Sequence, residues 1–109
     1  MTVREFATSV QEQLKKEGFT DFKVYTLSRF WAKDRNGEPI QFRIKFCNKP
    51  RKLYAPDVGF MTGLTDKKYK AVLVTNGTDI TDKTRKYLED KGYQIVLNWE
   101  PGKNIYSEK

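Results

Sequence analysis

The chain has 109 residues, with 21 Lys and Arg against 14 Asp and Glu, for a net charge of +7. That length fits one domain, residues 1–109, with one modest core, and hydrophobic residues at 38% with charged residues at 32% describe a polar globular chain rather than a disordered one. Histidine is absent and Cys47 is the lone cysteine, which excludes intramolecular disulfides, cysteine-rich zinc sites and histidine-based triads.

No apolar run approaches the ~20 residues of a membrane span, so no membrane association is expected. Met1 to Glu5 has no apolar signal-peptide region. A reducing, cytoplasmic setting is the default expectation. The positive balance favours anionic partners, nucleic acid first, although many basic proteins have no such partner.

In chain order, Thr2 and Glu5 form a capping box ahead of a helix. Val3, Phe6, Val10 and Leu14 recur along it at helical spacing, and Gly18 ends it. Phe22 to Lys33, rich in aromatic and β-branched residues, reads as one strand. Asp34-Arg35-Asn36-Gly37 reads as a tight hairpin turn, because Asn-Gly supplies positive φ. Pro39 to Cys47 is the returning strand, and Asn48 to Lys52 a loop.

Pro56 to about Thr65 reads as a short helix weakened by Gly59 and Gly63. Ala71 to Thr75 reads as a buried strand. Thr81 caps a further helix with Thr84, Tyr87 and Leu88 on its inner face, and Gly92 ends it. Tyr93 to Leu97 is the last strand, and the tail from Asn98 is irregular. Phe6, Phe19, Phe42 and Phe46 are expected in the core. Trp99 would cover that core or form an interface.

The expected fold class is α/β (α+β): a central mixed sheet of about four strands flanked by helices. In the second strand Ile40, Phe42, Ile44 and Phe46 share one face, and Gln41, Arg43 and Lys45 the other. No Gly-rich phosphate loop occurs, so nucleotide binding is not expected.

Three patterns together resemble the restriction-endonuclease-like superfamily, in its Mrr-like and Holliday-junction-resolvase-like branch. They are Phe6, Val10, Leu14, Gly18 and Phe19 on the first helix; Val72-Leu73-Val74-Thr75-Asn76-Gly77; and the helix from Thr81 leading into Gly92 to Leu97. The resemblance spans residues 6 to 97 and implies the order α-β-β-α-β-α-β.

It also implies an acid from each hairpin strand on a divalent metal, with a Lys two residues beyond the second acid. Lys45 matches that Lys, but Arg43 stands where the acid or Gln belongs. The upstream acid would fall in Ser28-Arg29-Phe30, which holds no carboxylate, and the first-helix acid is Ala7. Asp34 and Glu38 lie at the hairpin tip, and ~3.3 Å per residue puts Glu38 more than ~20 Å from Lys45. Asp57 is the least poor substitute. The implied site therefore has no catalytic residues, no metal ligands and no cofactor.

Between Pro39 and Pro56 lie Arg43, Lys45, Lys49, Arg51 and Lys52 and no acid, with Tyr54 beside them. With Arg29 and Lys23 from the first strand they would form a basic groove for nucleic acid, DNA before RNA, with Arg43 neutralising phosphate. The plainer alternative is that Arg43 and Lys45 are the solvated face of an edge hairpin. Tyr25, Phe30, Trp31 and Tyr54 could stack on unpaired bases, or serve as core and cross-strand pairs. Lys67, Lys68 and Lys70 read as an ordinary solvated turn.

Three functions compete. The first is a non-catalytic nucleic-acid-binding protein on a degenerate nuclease fold. The second is a protein-binding inhibitor or accessory subunit, of the kind phages and mobile elements encode. The third is a metal-dependent nuclease with rearranged ligands. A homodimer is compatible with each.

Overall fold

The computed structural model describes residues 1–62 and 68–106. Helix α1 (Val3–Lys16) starts at the expected capping box. Glu5 N–H donates to Thr2 Oγ1 at 3.1 Å, and Thr2 N–H donates to Glu5 Oε1 at 2.8 Å. Its buried stripe is Phe6, Ala7, Val10 and Leu14, the spacing of one helix face.

Strands β1 (Thr20–Thr26), β2 (Arg29–Lys33) and β3 (Pro39–Lys45) form an antiparallel meander. The single strand expected over Phe22 to Lys33 is thus two strands with a reversal at Leu27-Ser28. No Gly or Asn marks this turn. Hydroxyls shape it: Ser28 N–H donates to Thr26 Oγ1, and the two hydroxyls lie 3.3 Å apart.

The next turn also differs from a two-residue Asn-Gly reversal. Lys33 pairs with Pro39, and only Gly37 has positive φ, at 78°. The buried Asp34 carboxylate holds the loop by accepting N–H bonds from Asn36 and Glu38, both at 2.9 Å.

Beyond β3 the chain enters β4 (Lys52–Leu53) and α2 (Ala55–Thr62). The part of the expected helix beyond Thr62, to about Thr65, lies outside the described residues. Strand β5 (Lys70–Thr75) is parallel to β3, pairing Arg43 with Leu73 and Lys45 with Thr75. β6 (Asp79–Ile80) pairs with β4 in a small parallel sheet. α3 (Asp82–Asp90) then leads to β7 (Tyr93–Val96), parallel to β5. In α3, Thr84 and Leu88 are buried, but Tyr87 is 42% exposed rather than on the inner face.

The main sheet has five strands, ordered β1-β2-β3-β5-β7, one more than expected because of the missed reversal. The class is the expected mixed α+β. Two cores flank the sheet. One packs α1 against Phe19, Phe30, Ile40, Phe42 and Ile44, closed by Trp99 and Ile105 from the tail. The other packs Val58 of α2 and Leu88 of α3 on Ala71, Leu73 and Tyr93. Phe6 contacts Phe46 and Trp99 at centroid distances of 5.2 and 5.4 Å, so Trp99 covers the core.

The irregular tail is fastened. Glu17, at the end of α1, accepts backbone N–H bonds from Ile105 at 2.8 Å and Tyr106 at 2.9 Å. Among the described residues no helix is long and apolar enough to cross a membrane.

Candidate nucleic-acid interface

The plainer alternative, a solvated edge hairpin, does not hold, because β3 is an interior strand. β3 has β2 on one side and β5 on the other, and its second face is covered by α2, whose Val58 packs with Ala71 and Leu73, the register partners of Gln41 and Arg43. Gln41 is 0% and Arg43 1% exposed. Neither is part of a solvated edge, because a central strand lies beneath helices on both faces. Lys45, at the strand's end, is half-buried.

The register brings the basic residues into rows. Arg29 on β2 lies directly opposite Arg43 on β3, and Arg43 opposite Leu73 on β5. One row over, Lys23, Trp31, Gln41 and Ala71 are aligned across β1, β2, β3 and β5. Because strand side chains alternate, Arg43 and Lys45 share this face. Burial holds the Arg43 guanidinium below its usual range. Tyr93 opposes that effect and Arg29 adds to it. The Arg43 Nη1 donates to the Phe42 carbonyl at 3.2 Å, and the Arg29 guanidinium packs on the Tyr25 ring, 4.8 Å from its centroid.

Past Lys45 the chain direction is fixed by a side chain that imitates a peptide. Asn76 Oδ1 accepts the Cys47 N–H, and Asn76 Nδ2 donates to the Cys47 carbonyl, both at 2.8 Å. This anchors the loop carrying Lys49. Lys49, Lys52 and Tyr54 are exposed, and Lys52 belongs to the small β4–β6 sheet rather than to the arginine row. Arg51 is committed locally. Its two terminal nitrogens donate to the Asp57 carboxylate at 2.7 and 3.0 Å.

Asp57 also accepts the Tyr54 N–H at 2.8 Å, capping the first turn of α2. The Arg51 hydrogen bonds, with smaller contributions from the Tyr54 N–H and the nearby positive charges of Arg51 and Lys45, lower its pKa to about 2. The acid that looked the best substitute ligand is therefore held by an arginine and a helix terminus. At the hairpin tip Glu38 lies 3.6 Å from Lys70. Among the described residues no group of three or more His, Cys, Asp or Glu could hold a metal ion.

The aromatic residues separate. Phe30 is 0% exposed and stacks on Phe42 at 5.0 Å, so it is core rather than a stacking surface. Tyr25 and Tyr54 are half-exposed. Trp31 meets Tyr69 edge-on at 5.0 Å. Tyr69 did not stand out in the sequence, where nothing distinguishes it from the other tyrosines. Its place depends on the buried Gln41, whose Nε2 donates to the Tyr69 carbonyl at 3.3 Å. Lys67 lies outside the described residues. Lys68 is exposed in a turn, and Lys70 begins β5.

The sequence matches no known family model and no curated protein. Solved structures do match in fold. The protein of unknown function AF1548 superposes with a TM-score of 0.70 at 20% identity, over 94% of this chain and 62% of that one. A repair endonuclease from Pyrococcus abyssi gives 0.63 at 21%, over 93% of this chain and 48% of that one. EndoMS in a complex with double-stranded DNA gives 0.57 at 17%, over 95% of this chain and 47% of that one. The chain spans about half the length of the endonucleases and somewhat more of AF1548. Its fold is nuclease-like.

Proposed function

We propose that this chain is a non-catalytic nucleic-acid-binding protein, with DNA as its ligand, on a degenerate nuclease fold of the Mrr-like type. One observation carries the reading. Arg29 and Arg43 occupy facing positions on β2 and β3, with Lys45 two residues on, where the resemblance implies an acid within Ser28-Arg29-Phe30, an acid or Gln at Arg43, and the lysine. Two guanidinium groups repel a divalent cation, so the residues present do not fit the metal that this family uses. They suit an anion.

Arg43 lies beneath the surface, so Arg29 and Lys45 make the phosphate contacts. Arg43 contributes positive potential from below, where the low dielectric extends its reach. Lys23, Lys49 and Lys52 add exposed cations around them, and Arg51 and Tyr54 border the site. A DNA complex of a protein with this fold supports nucleic acid as the partner. A single domain acting in the cytoplasm goes with this reading.

A second reading has its own support. β1 is an edge strand with Val24 51% and Tyr25 52% exposed, a surface that suits a protein partner or a second copy.

Gel shifts of labelled duplex, single-stranded and branched DNA across a salt series test both. Mg²⁺ or Mn²⁺ is added or withheld, and each sample is also run on a denaturing gel. The expected result is a shift without cleavage that weakens steeply with salt and is lost in Arg29→Glu and Lys45→Glu. Absence of any shift overturns the reading and favours the protein partner. Metal-dependent cleavage lost in Lys45→Ala would favour a nuclease with rearranged ligands.

A further inference from the structure

Next to the arginine row lies a concavity of about 520 Å³, walled by Lys23, Tyr25, Trp31, Lys33, Pro39 and Tyr69 with Asp21 at its rim. Its volume falls within the roughly 300–1,000 Å³ of small-molecule sites. We propose that it receives one unpaired nucleobase, so that the protein prefers DNA containing an extruded or single-stranded nucleotide over intact duplex. This rests on the nucleic-acid reading above and specifies its ligand.

The walls are aromatic and held in place. Arg29 packs on the Tyr25 ring, which fixes that ring and ties the concavity to the arginine row. The register shift of β1 between Val24 and Thr26 falls at Tyr25, and such a bulge re-aims the side chain it carries. Opposite stands the edge-on Trp31–Tyr69 pair. Tyr69 is 40% and Tyr25 52% exposed, leaving aromatic surface open to solvent beside positive charge.

Lys23 and Lys33 are exposed at the rim. Asp21 lies 3.7 Å from Lys33 and offsets part of its charge, which leaves Lys23 for the phosphate flanking the base. Stacking on a π-face combined with a cation for the adjoining phosphate is the chemistry of unpaired-nucleotide sites. An intact duplex presents its phosphates to such a surface and hides its base faces.

Fluorescence anisotropy on three labelled duplexes tests this. One is fully paired, one has a single unpaired nucleotide, and one has an unpaired abasic residue at the same place. The third keeps the backbone and charge of the second and removes only the base. The native protein is expected to bind the second about tenfold more tightly than the third. That ratio should fall to near one in Tyr69→Ala and in Tyr25→Ala, and persist in Tyr25→Phe. Equal, salt-sensitive affinity of the native protein for all three overturns this inference while leaving the nucleic-acid reading intact. Failure to bind any of them overturns both.

Discussion

Arg29 on β2 and Arg43 on β3 face each other at one register position of an antiparallel pair, two like charges side by side. Facing like charges are unfavourable in a sheet, and burial of Arg43 adds to the cost. Under the proposed function, a bound phosphate would relieve part of that repulsion.

Reversing the two charges should therefore reverse the ligand. The Arg29→Asp/Arg43→Glu double variant places two carboxylates at facing positions on β2 and β3, with Lys45 two residues on. Mn²⁺ is expected to raise its melting temperature by about 5 °C or more at metal concentrations well above Kd. The native protein should show no such rise. A Mn²⁺-dependent rise in the native protein would mean that ligands other than these positions hold metal.

Asp57 makes stability depend on acid pH. Its pKa of about 2 lies below the ordinary 3.8, chiefly because Arg51 donates to it. A depressed carboxylate stabilises the fold above pH ~4 and loses that contribution as pH falls toward ~2. Arg51 is half-exposed, so solvent screening keeps the pair's contribution small. Asp57→Asn should lower stability measurably at neutral pH and converge with the native protein near pH 2. Urea titrations at both pH values would show it, and a constant difference would exclude Asp57 as the titrating group.

Glu17 joins α1 to the tail. Its carboxylate accepts N–H bonds from Ile105 and Tyr106, and also from Gln13 Nε2 at 3.0 Å. Hydrogen bonds to a charged group contribute about 1.5–3 kcal/mol, and Glu17→Ala should destabilise by a value in that range. Hydrogen exchange at Ile105 and Tyr106 should quicken in the variant. Unchanged exchange there would show that Trp99 and Ile105 packing alone holds the tail.

Much of this architecture was legible because the local signals agreed. The capping box at Thr2, the stripe from Phe6 to Leu14, and the apolar run of β5 all point to elements that formed. The reversal at Leu27-Ser28 was not legible, because Thr and Ser hydroxyls make weaker turn signals than Gly or Asn. Burial of Arg43 was not legible either. Alternation along Ile40 to Phe46 identifies its face, but only the packing of α2 on the sheet shows that this face is covered. Arg51 was counted with the free cations because its partner Asp57 lies six residues on, across a strand and a helix start. The alignment of Arg29 with Arg43 comes from register, which no single strand encodes.

The Glu17 link also bears on when the protein can become itself during synthesis. Its partners lie 88 and 89 residues further along the chain, and the parallel β3–β5 and β5–β7 pairings likewise join distant segments. A nascent chain that has released α1 and the β1–β3 meander still lacks Val72 and Val74 of β5, Trp99 and Ile105, and thus the late part of its first core. Such non-local topologies fold slowly. The exposed aromatic and basic surface of the early meander would then be present before the late strands arrive, when a ligand or chaperone could meet it first.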